Sequence, residues 1–385
     1  MDIGIELVWS APVTDFDGTR DTADPLGFRG WATQLARDLV PGLTQVTFRT
    51  RGYALLCKGL LLAQSVADRK QADPVEAFLR FERLWVGAQR AVHGEHARWA
   101  GVRMASVLLS EDSYRLDKAL TSQQLYSGLW GAYRRSSTAL RLIQPIGHRS
   151  GPAAYKLTTL GSELASAVTK AAFVEKVRLA DHILKESLQV DVLRSLIAQE
   201  PPGDRPSARE VEILSTAMMV ADEAQDNALL RLRRSYDQRN RRRLALDALV
   251  QAEELSAVQH RAATAARDLC ELMVAIEEPY RRWVTGSPVD PIPPAIWRHV
   301  GWETVHRWPV PELVSLHALM RSLPEGMAAF EAIQQHHARL MEQRGAEPWE
   351  RDIETPTRSA YQAPDFCLPS ASQLFSEGVL QGAHS

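Results

Sequence analysis

Residues 121–165 read TSQQLYSGLWGAYRRSSTALRLIQPIGHRSGPAAYKLTTLGSELA, and the change of pattern inside this stretch decides the fold class. TSQQ (121–124) has the hydroxyl-x-x-amide spacing of a capping box. There a Thr oxygen and a Gln side chain satisfy each other's free backbone amides, so the spacing predicts a helix start. Helical spacing runs on through Ile143. A basic loop, GHRSGPAAYK (147–156), interrupts it. AYKLT (154–158) then has strand character, and from Thr158 a long helix is predicted to about residue 184. A short piece of β between helices is the expected local arrangement.

Outward from this stretch nearly everything is helical. Residues 27–40, GFRGWATQLARDLV, place Phe28, Trp31, Leu35 and Leu39 on one stripe, and Pro41–Gly42 ends that helix. Residues 51–67 are apolar almost all round, which predicts a buried helix. DPVE (73–76) puts Asp at the cap, Pro in the first helical position and Glu in the first turn, so a helix runs to about residue 92. SARE (207–210) is a second capping box. The pattern behind it continues to about 283, too long for one ordinary helix, and predicts a helical hairpin bent near 237–240. A Pro- and Trp-rich segment (285–311) precedes helices at about 311–322 and 326–344, and the tail has the pattern of one last short helix. Further strand signals are IGIELVW (3–9) and TQVTF (44–48). QEPPGDRPS (199–207) breaks the chain sharply. The expected architecture is mainly α. Its N-terminal lobe, 1–200, contains a helix–wing module at about 100–185, and its C-terminal helical bundle, 207–385, is built on the long hairpin.

Composition bounds the function. The chain has 385 residues, 45% hydrophobic and 24% charged, with a net charge of −2. This is an ordinary globular profile, so any contact with a polyanion must come from a local patch. Cys57, Cys270 and Cys367 lie far apart and form no CxxC pair, which suggests a reducing cytosol. No basic leader precedes the first apolar residues, and the longest apolar run, GLLLA (59–63), is too short for a bilayer. A cytoplasmic protein without a membrane contact is expected.

TDFDGTRD (14–21) carries the Asp-x-Asp-Gly-Thr loop of dehalogenase-like phosphotransferases. In that chemistry Asp15 attacks phosphorus from the end of a buried parallel strand, and Asp17 moves the proton. Here APVT places a proline before the nucleophile, Arg20 follows the motif, and few strands come after. A surface loop is the preferred reading, with an Asp-dependent, magnesium-using hydrolase as the least favoured function. No P-loop, GxGxxG or GxSxG is present, and GHRSG (147–151) lacks the strand–elbow–helix setting of a nucleophile. His93 and His96 in HGEH stand at metal-pair spacing but lack further ligands, and His336–His337 face two directions of a helix. No cofactor and no enzymatic activity are expected.

The basic residues are more informative. Arg134, Arg135 and Arg141 lie late in the helical part of the opening stretch. His148, Arg149 and Lys156 flank its Gly-containing turn. Together they are expected to line a phosphate-tracking surface on duplex DNA. RLRRSYDQRNRRR (231–243) adds Arg231, Arg233, Arg234, Arg239, Arg241, Arg242 and Arg243 around Tyr236. The alternative is a solvated face paired with acids such as Glu253, Glu254, Glu277 and Glu278. Tyr155-x-Leu157-Thr158-x-x-Gly161-x-x-Leu164 resembles the wing strand and following helix of winged-helix domains. That likeness implies either DNA contact through the wing or a module that packs only protein.

LGFRGWATQLARDLVPGLTQVTFRTRGYALL (26–56) resembles a segment of uncharacterised bacterial proteins from anti-phage defence islands. The matching residues are Leu26, Gly27, Pro41, Gly42, Thr44, Thr47, Arg49, Arg51 and Tyr53. LYSGLWGAYRRSSTALRLI, YKLTTLGSELA and GAEPWERD (345–352) look like later parts of the same proteins. The resemblance implies a cytosolic component of a multi-gene defence system, working beside a helicase or nuclease, and no activity of its own; with the basic residues, the expected function is a non-enzymatic DNA-binding or scaffold subunit. The second reading is a protein-only adaptor. Arg49 and Arg51 are either phosphate or partner contacts, or surface groups flanking a helix. Tyr53 in the latter case is a core anchor with a solvated hydroxyl.

Overall fold

The computed structural model describes residues 26–40, 49–97, 101–146, 151–174, 179–197, 205–221, 249–253, 255–290 and 326–343, with isolated positions such as 43, 47, 99, 315, 318, 319, 322–324, 348, 377 and 379. In chain order the helices are α1 (Phe28–Leu39), α2 (Thr50–Lys70), α3 (Pro74–His93), α4 (Val102–Leu108), α5 (Gln124–Ser127), α6 (Leu129–Ala139), α7 (Thr159–Ala172), α8 (Leu179–His182), α9 (Val190–Leu196), α10 (Ala208–Ala221), α11 (Ala257–Val284) and α12 (Ala328–Gln343). The strands are β1 (Ser113–Arg115), β2 (Ile143–Pro145), β3 (Tyr155–Leu157) and β4 (Ser187–Gln189). The fold is mainly α. No described helix is long and apolar enough to cross a membrane.

The chain folds as two compact units, and they divide it elsewhere than at 199–207. One comprises residues 1–40 and 234–368, the other 41–233 and 369–385. The physical reason lies in two pairings distant in sequence. The α1 stripe of Phe28, Trp31, Leu35 and Leu39, each 2% exposed or less, is buried in the unit where α1 packs on α11. α10 instead packs on α7 and α2.

In the first unit, Ser256 and Gln259 form a reciprocal capping box that starts α11. Gln259 then donates through Nε2 to the Leu39 carbonyl at 3.0 Å, tying α11 to the end of α1. Trp283 stacks on Phe330 at 5.7 Å, and the Tyr280 hydroxyl donates to Gln334 Oε1 at 2.6 Å, joining α11 and α12. His336 and His337 are both buried in α12. The bend expected at 237–240 lies outside the described residues. The described α11 starts at Ala257, and α10 belongs to the other unit. Trp283, in α11 just before the Pro- and Trp-rich segment, is core; 291–311 lies outside the described residues. So do TDFDGTRD, IGIELVW, most of TQVTF and most of GAEPWERD.

The second unit is organised on α2, which packs against α3, α6, α7 and α10. Its all-round apolar surface requires cover on every side, as the sequence predicts. Gly52 explains the interruption between Arg51 and Tyr53. A Cβ there would stand 2.1 Å from the Tyr133 ring, so only glycine lets α6 approach. Arg51 is buried, not a surface flank of the helix. Its Nε and Nη2 donate to Glu210 Oε1 and Oε2 at 2.8 and 2.9 Å, and Nη2 also donates to the Arg205 carbonyl. Glu210 is in turn the partner of Ser207 in the expected capping box, with Ser207 N–H donating to Oε2 at 2.8 Å and Glu210 N–H donating to Ser207 Oγ at 3.3 Å. One carboxylate thus caps α10 and locks it to α2. From the end of the chain, Glu377 Oε2 accepts the Thr50 amide at 2.8 Å, capping α2, and Val379 is fully buried.

Asp73 caps α3 as predicted, accepting from Val75 and Glu76 amides at 3.0 and 3.4 Å. Two expectations change. Gln124 does not complete a capping box with Thr121; its side chain turns inward, and α5 starts without a side-chain cap. The helix expected to reach residue 184 stops at Ala172. Phe173 turns extended, bridges to Ile197 and buries its ring beside Phe81 and Trp85, at 6.2 and 5.4 Å. Packing of that ring outweighs helical continuation. β1 and β4 pair antiparallel through Tyr114 and Leu188, and β2 and β3 pair antiparallel with Gln144 opposite Lys156.

Arg51→Met leaves the buried Glu210 side chain without its guanidinium partner, and costs about 3–5 kcal/mol in urea unfolding. Arg51→Met with Glu210→Leu recovers a substantial part of that loss. Equal destabilisation by the single and double variants would show that the pair is not the lock.

Candidate nucleic-acid interface

The candidate surface is built on α6 and the hairpin that follows it. The start of α6 is held by Glu82 of α3. Glu82 Oε1 accepts the Leu129 amide at 2.7 Å, and Oε2 accepts Gln124 Nε2 at 2.9 Å. A carboxylate at a helix N-terminus also suits the helix dipole. Gln124 Oε1 accepts from Arg83 Nε at 2.9 Å, and Arg83 Nη1 donates to Glu76 Oε1 and the Leu116 carbonyl, both at 2.9 Å. Glu82, Gln124 and Arg83 of this network are buried, and they fix where α6 begins. Trp130, Tyr133, Ser136 and Ser137 then face the core.

The opposite side of α6 carries Arg134 and Arg135, both exposed. Arg134 stands over the Trp130 ring at 6.0 Å. Partial burial pulls the Arg135 pKa down, and the adjacent Arg134 charge adds to this. A guanidinium nonetheless stays charged at neutral pH. Arg141 follows with φ of 54°, in the left-handed region that glycine enters without strain. Its carbonyl accepts the Thr158 hydroxyl at 2.7 Å, and the Thr158 oxygen in turn accepts the Gly161 amide at 3.2 Å, capping α7. A Cβ at Gly161 would lie 2.0 Å from the Leu142 carbonyl. The Leu-Thr-x-x-Gly spacing is therefore the joint between hairpin and helix. Lys156 is exposed on β3, opposite Gln144.

Four of the predicted residues, Arg134, Arg135, Arg141 and Lys156, thus fall on one continuous helix–hairpin segment. Among the described residues no carboxylate forms an ion pair with any of them. His148, Arg149 and the arginines Arg231, Arg233, Arg234, Arg239, Arg241, Arg242 and Arg243 lie outside the described residues. Of the acids considered as their partners, Glu277 is engaged by Arg281 at 2.8 Å. His93 ends α3 and His96 is exposed in the turn after it; among the described residues no three His, Cys, Asp or Glu side chains gather as a metal site. Tyr53 is fully buried, edge-on to Tyr133 at 5.0 Å, with its hydroxyl 3.5 Å from the Thr47 carbonyl, so it is a core anchor without a solvated hydroxyl.

Against the inner side of α6 lies a cavity of about 390 Å³, lined by Arg49, Glu82, Trp85, Trp99, Leu129 and Tyr133 among others. Trp85 and Trp99 meet edge to face at 5.6 Å, and the Arg49 guanidinium sits 5.0 Å from the Trp99 ring centre. The indole Nε1 of each tryptophan is buried without an acceptor among the described residues. Burial raises the Glu82 pKa to about 7, against the opposing pull of the Gln124 and Leu129 hydrogen bonds and the Arg83 charge. These residues come from helices and loops far apart in sequence, and no short spacing marks them.

No family model, curated protein or solved structure matches the chain.

The Glu82 pKa makes stability depend on pH. The folded protein binds this proton more tightly than the unfolded chain does. The stabilisation is complete below the ordinary carboxyl value of 4.5 and is lost as pH rises through about 7. The loss is on the order of 3 kcal/mol. Glu82→Gln flattens that part of the profile in denaturant titrations between pH 4 and pH 8; a profile unchanged by the substitution would reject the assignment.

Proposed function

We propose that the protein is a non-enzymatic DNA-binding subunit of a bacterial anti-phage system, acting in the cytosol beside a helicase or nuclease. The α6–β2–β3–α7 segment serves as a winged-helix-like module, with α6 and the hairpin presenting cations to the phosphate backbone. The observation that carries this reading is the set Arg134, Arg135, Arg141 and Lys156, exposed and without carboxylate partners among the described residues.

Three physical points support it. Exposed cations on folded proteins commonly find carboxylates, and this chain has slightly more acids than bases to supply them. Side-by-side Arg134 and Arg135 repel each other until an anion arrives. Arg141 occupies a left-handed backbone conformation that costs a non-glycine residue about 1 kcal/mol or more, and the Thr158 hydroxyl holds its carbonyl there, so its side chain leaves from a fixed turn. The module offers no obvious base-reading set of Asn and Gln side chains, so phosphate contacts dominate and the expected binding has low sequence preference. The defence context rests on the resemblance of residues 26–56 and of the helix–wing segment.

Fluorescence anisotropy of a labelled duplex titrated across salt concentrations tests the proposal. Each phosphate neutralised contributes about −0.9 to the log–log slope. Arg134→Glu with Arg135→Glu is expected to weaken binding at least roughly ten-fold at low salt and to make the slope shallower by about two phosphates. Binding absent at low salt, or indifferent to this double reversal, points to a protein-only adaptor and overturns the DNA reading.

A further inference from the structure

The cavity behind α6 is unused by a role confined to phosphate contacts. Its volume of about 390 Å³ falls in the range of small-ligand pockets, about 300–1,000 Å³. Its walls suit a flat ring: Trp85, Trp99 and Tyr133 are all lining residues, and the first two form a rigid edge-to-face pair. Glu82 supplies the polar handle. Each of its oxygens accepts one protein hydrogen bond, and each keeps capacity for a second. A planar ligand with N–H or amino groups on its edge meets both features.

The position of the opening narrows the class. Tyr126 and Gly131 are exposed lining residues and mark the mouth. Gly131 and Arg135 are both on α6, about 6 Å apart along its axis at 1.5 Å per residue. Phosphate-binding cations therefore stand within reach of one nucleotide from the mouth.

We propose that this cavity is a nucleobase pocket, which takes one unpaired base between its aromatic walls with the amino or imino edge of the base on Glu82. The base comes either from a strand held by Arg134 and Arg135 or from a free nucleotide; only the first source rests on the DNA-binding reading. A strand donating a base must be single-stranded, frayed or distorted at that point, because a stacked base cannot enter a protein pocket.

The test uses the full chain and two probes: an oligonucleotide carrying one 2-aminopurine in a single-stranded stretch, and 2-aminopurine ribonucleoside monophosphate. Stacking on tryptophan quenches the fluorescence of this base. Expected are quenching of the oligonucleotide probe and roughly ten-fold or greater loss of affinity when the base is replaced by an abasic site. Ala132→Phe, which fills the cavity from α6, removes the quenching while the salt slope persists. Trp99→Leu, at a partly exposed position, gives a second route to the same loss if Ala132→Phe fails to fold by circular dichroism. Quenching of the free nucleotide alone supports the pocket and rejects the strand as its source. Salt-dependent binding without quenching of either probe, or quenching that survives both substitutions, overturns the pocket and leaves the phosphate surface standing.

Discussion

Everything proposed for the second unit depends on a carboxylate that is difficult to bury. Glu82 sits at 4% exposure in α3, where desolvation opposes its charge. It is kept there because two donors converge on it, the amide that opens α6 and the side chain of Gln124. Those two contacts define the position and start of α6. They also explain Gly128, where an added Cβ would stand 2.4 Å from Glu82 Oε1. Arg83 beside it extends the network to Glu76 and to the chain just after β1 at Leu116, so the same group of side chains joins α3, α5 and α6. A buried network of this kind is stabilising only when every member is satisfied, which restricts what these positions tolerate.

α6 consequently has two working sides. Its core side carries Trp130 and Tyr133 and forms one wall of the aromatic cavity, while its outer side holds Arg134 and Arg135. Tyr133 packs against both Tyr53 and the bare backbone of Gly52, so α2 and α6 approach closely. At the far end of α6, the turn through Arg141 is joined to α7 by Thr158, whose hydroxyl donates to one chain segment and accepts from another. The cations are therefore presented on a frame braced at both ends. A braced frame loses little conformational entropy when it meets an anion, which favours binding.

Much of this unit was legible because the signals are local. The Asp73 cap, the Ser207–Glu210 box and the apolar circumference of α2, like the stripe of α1 in the other unit, all follow from spacing within one or two helical turns. The strand at Tyr155–Leu157 was legible for the same reason. What was missed has non-local causes. Thr121–Gln124 has the spacing of a capping box, yet Gln124 serves Glu82 and Arg83, which lie about 40 residues earlier in the chain. Phe173 breaks a helix that its own neighbours favour, because Trp85 and Phe81 offer its ring a better environment. Arg51 read as a surface group because its partner, Glu210, is 159 residues away.

The sequence by itself determined a mainly helical chain, most of the described helix starts, one strand of the hairpin and a run of cations concentrated around it. Periodicity and capping are properties of neighbouring residues, so they survive without knowledge of the fold. Only the tertiary structure decided that Arg51 is buried while Arg134, Arg135, Arg141 and Lys156 are not, that α1 and α10 belong to different units, and that Trp85, Trp99, Tyr133 and Glu82 surround one cavity. Burial, ion pairing and enclosure depend on which distant segments meet, and the same arginine is a lock in one neighbourhood and a free charge in another.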